Sequence, residues 1–179
     1  MNRWFSSDHH FSHEAIIKYC NRPFKDKYEH DGALIENWNK LVKRNDLVYH
    51  LGDFCFGSHK TVRHFRNRLN GKIILIMGNH DYKSRIHKLT DLFTEIHDYR
   101  MIKVSNKQAL FLCHYCMRVW PRSHFNVPSL YGHSHGGLEG IGKQMDVGVD
   151  TNNFKPYHVD EIIEIMESKP DNFNLVKNT

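Results

Sequence analysis

Lys72-Ile73-Ile74-Leu75-Ile76-Met77 runs directly into Gly78-Asn79-His80-Asp81. A short, unbroken apolar run rich in β-branched residues reads as a strand covered on both faces, as in a parallel sheet. In open α/β sheets ligands bind outside the carboxyl ends of such strands, where the polar tetrapeptide stands. Upstream, the same alternation repeats. Residues 3–7 read as a strand and His13 to Cys20 as a short helix broken at Asn21-Arg22-Pro23. Leu34, Ile35, Trp38, Leu41 and Val42 recur at helical spacing over about 28–43. Asp46 to Leu51 is a compact strand candidate, and Thr61 to Leu69 a basic helix with Val62, Phe65 and Leu69 on one face. Strand and helix alternation of this kind signifies an α/β fold with parallel strands.

Downstream the character changes. Tyr99 to Val104, Ala109 to Cys113, Leu130 to Tyr131 and Met145 to Val149 are short strand candidates, and His158 to Ser168 is a terminal helix. With no repeat or linker, residues 1–179 read as one domain with a mixed, two-sheet core.

Lys+Arg is 25 and Asp+Glu is 20, a formal charge of +5 without a run of like charge. Such scattered charge is an ordinary solvated surface rather than a nucleic-acid footprint. No stretch approaches the ~20 apolar residues of a membrane span, and the N-terminus lacks a signal-peptide pattern, so a cytoplasmic location is expected. The four cysteines, Cys20, Cys55, Cys113 and Cys116, are then reduced thiols. Cys113-x-x-Cys116 lacks the second pair that a zinc ribbon needs. The composition is unusual in its 15 histidines.

Those histidines acquire meaning by position. Asp8-His9-His10, Gly52-Asp53, Gly78-Asn79-His80-Asp81, His114 and Gly132-His133-Ser134-His135 each follow an apolar strand-like run. Side chains alternate along an extended segment, so Asp8 and His10 share a face, as do His133 and His135. Mixed carboxylate and imidazole donors suit divalent transition metals such as Mn, Fe, Ni or Zn. Alone, each motif reads as a turn or a solvated edge; five in order, each at a strand end, do not.

This series resembles the calcineurin-like metallophosphoesterases, whose pattern is D-x-H, G-D, G-N-H-[DE], H and G-H-x-H. The match spans residues 8 to 135 with no element missing. The resemblance implies a four-layer α-β-β-α sandwich of two mixed sheets with a binuclear site at one edge. It places one divalent ion, Mn favoured, on Asp8, His10, Asp53 and His135, and another on Asp53, Asn79, His114 and His133. Asp53 bridges them. His80 is the non-ligand histidine that faces substrate as general acid or transition-state stabiliser. The implied reaction is hydrolysis of a phosphodiester or phosphomonoester of a small molecule or nucleotide by a metal-bridging hydroxide.

Guanidinium groups bind phosphate oxygens bidentately, so Arg118, four residues after His114, and Arg22 are candidate substrate contacts. His9, His13 and His50 lie near motifs without an assigned role, with hydrogen bonding behind the ligands expected for His9. Asp81 is read as orienting His80 or a neighbouring loop, and Trp120 and Phe125 as packing. The arginine that protein phosphatases of this superfamily carry after the bridging aspartate is absent from Gly52-Asp53-Phe54-Cys55-Phe56. With the short chain, this favours a phosphodiesterase of small substrates. A single-strand nuclease and a non-catalytic metal-binding scaffold are the alternatives. Nothing in the sequence specifies an oligomeric state.

Overall fold

In the computed structural model, which describes residues 1–106 and 108–176, the apolar run at Lys72–Ile76 is an interior strand flanked by parallel neighbours. The elements in chain order are β1 (Arg3–Ser6), α1 (Glu14–Tyr19), α2 (Lys27–Leu41), β2 (Leu47–His50), α3 (His59–Arg66), β3 (Lys72–Ile76) and α4 (Asn79–Lys83). They continue as β4 (Glu95–His97), β5 (Tyr99–Lys103), β6 (Ala109–Cys113), β7 (Ser129–Tyr131), β8 (Gln144–Asp146), β9 (Tyr157–His158) and α5 (Val159–Ser168).

One sheet has the order β4-β3-β2-β1-β9, with β9 antiparallel and the rest parallel. The other has the order β5-β6-β7-β8, with β5 antiparallel to β6 and the others parallel. Both sheets are therefore mixed.

Alternation along the strands builds the layers. Trp4, Val48, Ile73 and Leu75 face one way and pack under Leu34, Ile35 and Trp38 of α2 and Val62 and Phe65 of α3. Phe5, Tyr49, Ile74 and Ile76 face the other way and meet Ile102, Leu110, Leu112, Leu130 and Met145 of the second sheet. Ile162 and Met166 of α5 join this inter-sheet core. On the outer face of the second sheet, Phe111 and Cys113 are covered by Trp120, so a loop segment forms much of the fourth layer. Asp26 caps α2 by accepting from the backbone N–H groups of Tyr28 and Glu29, a contact that contributes about 1 kcal/mol.

Three elements depart from the sequence pattern. Glu95-Ile96-His97 is a half-buried edge strand without an apolar run. Asn79–Lys83 is a one-turn helix rather than a loop. The Met145–Val149 strand ends at Asp146, and Val149–Thr151 is a 3-10 turn that leads Asp150 toward the site. Among the described residues, no helix is long and apolar enough to cross a membrane.

Candidate metal centre

The motif residues follow the carboxyl ends of β1, β2, β3, β6 and β7, and the loops there are sewn together. The Asp8 N–H donates to Gly52 O at 3.0 Å, the His10 N–H to Asp53 O at 2.9 Å, and the Gly132 N–H to His114 O at 3.0 Å. The His133 N–H donates to the Asp8 carboxylate (2.9 Å to Oδ2), which ties a loop of the second sheet to one of the first. Two glycines permit this approach. A Cβ on Gly78 would overlap the Asp53 carboxylate, and one on Gly132 would overlap Ser7 Oγ and Asp8 Oδ2.

Asp8, His10, Asp53, His133 and His135 all adopt left-handed backbone conformations, with φ of 59°, 51°, 54°, 68° and 49°. Non-glycine residues there cost about 1–2 kcal/mol each, and such strain concentrates at functional sites. Here it turns consecutive loops inward at one point.

The side chains converge on Asp53. Its Oδ2 lies 3.5 Å from His10 Nε2, 3.6 Å from His114 Nε2 and 4.0 Å from His80 Nε2. Ligand atoms of Asp8, His10 and His135 lie within 4.8 Å of one another, and so do those of Asp53, His114 and His133. Asn79 Oδ1 stands 3.2 Å from His114 Nε2. All seven residues expected as ligands are thus brought together.

The chemistry of the donors fits cations. His114 Nδ1 must donate to the Leu51 carbonyl at 2.7 Å, which points Nε2 at Asn79 Oδ1 and Asp53 Oδ2; that nitrogen carries a proton toward Asp53 until a cation takes its place. His10 Nε2 is buried without a hydrogen-bond partner, between Asp8 and Asp53. Groups of acceptors aimed at one another are repulsive until a cation stands between them. Titration behaviour reflects the same crowding. Burial raises Asp8 to about 6, and burial pushes His10 down to about 2. Burial would also lower His114, but its hydrogen bond to Asp53 and the charges of Asp8 and Asp53 outweigh this and raise it to about 9.

Arg22 corrects an expectation: it is not a substrate contact. Its side chain is 0% exposed, and its donors are spent inside the protein. Nε and Nη2 donate to the two oxygens of Asp150 at 2.8 and 2.7 Å, Nη2 also to Asp8 O at 2.8 Å, and Nη1 to His9 O at 3.2 Å. Nη1 further reaches His30 Nε2 at 2.8 Å. Asp150 in turn accepts from His135 Nδ1 at 2.7 Å, which leaves Nε2 of His135 for a ligand. Cys20 forms a further close group with His135 and Asp150. Arg118, exposed, stacks over Phe173 at 4.1 Å and is not among the residues that line the cavity at the site.

Asp81 accepts from the N–H groups of Gly78, Asp53 and Phe54 at 2.9, 2.8 and 2.9 Å, so it braces the Asp53 loop rather than His80. His9 and His50 form a buried pair, Nδ1 to Nε2 at 2.9 Å, behind the ligands. Trp120 is buried, and Phe125 lines a separate apolar pocket of about 190 Å³. The cavity at the metal centre measures about 760 Å³. His10, Asp53, Asn79, His80, His133 and His135 form its floor, and His13, Ile16, Tyr19 and Phe56 stand along one side.

A two-sheet α/β sandwich with Asp, Asn and His ligands at the strand ends defines a metal-dependent phosphoester hydrolase class of site. The chain belongs to the calcineurin-like phosphoesterase superfamily, whose domain profile matches residues 1–140. It is 32% identical over 170 residues to an uncharacterized protein of Methanocaldococcus jannaschii, covering 90% of this chain and 89% of that one. It is 37% identical over 83 residues to the Gene 66 protein of Mycobacterium phage L5, covering 45% and 40% of the two chains. A crystal structure of a protein of unknown function from Aquifex aeolicus superposes with a TM-score of 0.74 at 28% identity, covering 92% of this chain and 98% of that one.

Proposed function

We propose that this chain is a two-metal phosphodiesterase acting on small phosphodiesters. The observation that carries the reading is the meeting of three imidazole Nε2 atoms on a single Asp53 oxygen, within 3.5–4.0 Å. Asp8, His10, Asp53 and His135 would hold one ion, and Asp53, Asn79, His114 and His133 the other, with Mn²⁺ the favoured metal. Paired divalent ions supply Lewis acidity toward a phosphoryl group and lower the pKa of water.

The chain's own residues do the rest. The His80 N–H donates to Asp53 Oδ1 at 2.9 Å, so the shared carboxylate is locked by the same residue whose ring faces the cavity. Burial lowers the pKa of the His80 ring. The ring is therefore mainly neutral near pH 7; as a neutral donor it can hydrogen-bond a phosphoryl oxygen in the transition state, and it must take up a proton before it can protonate a leaving oxygen. The shell of Asp81, Asp150 and Arg22 keeps the ligands in place without reorganisation during turnover.

The preference for diesters rests on the cavity wall. Among the described residues lining it there is no lysine or arginine. A monoester dianion carries one more charge than a diester and gains more from added cations. The test is hydrolysis of bis(p-nitrophenyl) phosphate and of p-nitrophenyl phosphate with Mn²⁺, before and after chelation. The diester should show the higher kcat/KM and chelator should abolish it. Preference for the monoester would overturn the diesterase reading, and metal-independent turnover the metal reading.

A further inference from the structure

We propose that Phe56, stacked on His13, is a platform for the unpaired base of a nucleotide phosphodiester. This assignment rests on the diesterase reading for the position of the phosphoryl group.

The two rings lie 4.5 Å apart with planes 16° from parallel. Phe56 is 44% exposed, and both side chains line the cavity of the metal centre. One face of Phe56 is therefore taken by His13, while the side chain still presents large apolar area to solvent. The pair is joined directly to the site: His13 Nδ1 lies 3.4 Å from His10 Nδ1, and the Phe56 ring centroid stands 5.7 Å from that of His80. Tyr19, 76% exposed, extends the aromatic side by an edge contact to His13 at 6.5 Å.

The platform is built on fixed backbone. The Phe56 N–H donates to Phe11 O at 2.8 Å and the Phe11 N–H to Phe54 O at 3.1 Å, a bridge between the two motif loops. The His13 N–H donates to His10 O at 3.0 Å. A rigid aromatic face loses little entropy on binding. Planar bases stack on such faces without regard to sequence, provided they are not already stacked in a duplex. With no lysine or arginine among the described lining residues, the cavity offers a nucleotide the metal centre, the aromatic face and neutral hydrogen-bonding groups such as Asn21 and Ser134.

The experiment is calorimetric binding of AMP and of ribose 5-phosphate to the Mn²⁺-loaded protein. The two probes share a phosphate and a ribose but differ in the base. AMP should bind at least about five-fold more tightly, the lower end of one base–aromatic stack. The ratio should collapse to near unity in Phe56→Ala and in Phe56→Leu, which keeps apolar bulk but has no π face. Equal affinities in the wild type, or a ratio that survives both substitutions, would overturn the platform. Base preference without hydrolysis of any diester would uphold the platform and overturn the hydrolase reading; diester hydrolysis without base preference would do the reverse. Competition by a single-stranded oligonucleotide that is lost in Phe56→Ala marks a strand end as the source of the base; AMP preference lost in Phe56→Ala without such competition marks a free nucleotide.

Discussion

Arg22 and Asp150 form a bidentate ion pair beneath the metal centre, at 2.8 and 2.7 Å, and the same Asp150 carboxylate holds His135 Nδ1 at 2.7 Å. The pair spans 128 residues of sequence. It joins the loop after α1 to the turn after β8, and through His135 to the loop after β7. Outer partners of this type fix ring orientation and raise the basicity of a ligand. Arg22→Lys loses the planar fork and two of the five N–H donors. Its affinity for Mn²⁺ should fall by about 10–100-fold, as should that of Asp150→Asn, measured by competition with a chelating dye. Unchanged affinity in both would remove this pair from the metal centre's support.

His80→Ala should separate chemistry from metal binding. Loss of a general acid costs about 10²–10⁴-fold in kcat, and the proposed ligand sets do not include His80. Elemental analysis of the variant should therefore return the wild-type metal content alongside the slow turnover. Loss of metal in step with activity would make His80 a ligand instead, a role open to it at 4.0 Å from Asp53.

The motif order made the candidate metal centre readable because each candidate ligand follows a strand, and parallel strands deliver their carboxyl ends to one edge. Asp150 was hidden for the same reason. It follows a short strand, but no signature surrounds it, and its importance comes only from the two partners that the fold brings to it. Arg22 looks like a loop arginine in Asn21-Arg22-Pro23-Phe24, and its burial depends on Asp150, far away in the chain. β4 escaped because Glu95-Ile96-His97 lies half-buried at a sheet edge, where an apolar run is not required. The platform of Phe56 was unreadable because its stacking partner, His13, comes from a different motif loop.

The buried pair His9 and His50 gives the fold an acid limb. Burial pushes His50 down to about 3, and burial beside the His50 ring and the Arg22 guanidinium holds His9 well below the usual histidine range. Unfolded, both would titrate near 6.5. Both are neutral in the fold, so their contribution is complete above about pH 6.5 and is lost as pH falls toward 3, at about 1.4 kcal/mol per pH unit for each ring. In urea unfolding of chelator-treated protein between pH 7.5 and 5.5, His50→Gln should have a shallower acid limb than wild type by about half a proton on average, approaching one at the acid end. Identical slopes would show that His50 is not held neutral.

Gly132→Ala tests the close approach of the two sheets' loops. Its Cβ would meet Ser7 Oγ and Asp8 Oδ2, and overpacking of this kind costs about 1–3 kcal/mol. A lower Tm and weakened Mn²⁺ binding are the expected results in thermal unfolding with and without the ion. A wild-type Tm with full metal affinity would mean that the loops separate freely.

In the proposed centre Asp53 joins two cation sites into one. Equilibrium dialysis against Mn²⁺ followed by elemental analysis tests this on wild type and Asp53→Asn. Two ions per wild-type chain are expected, and at most one, weakly held, in the variant. A single ion in the wild type, or two ions retained by Asp53→Asn at wild-type affinity, would contradict that role of Asp53.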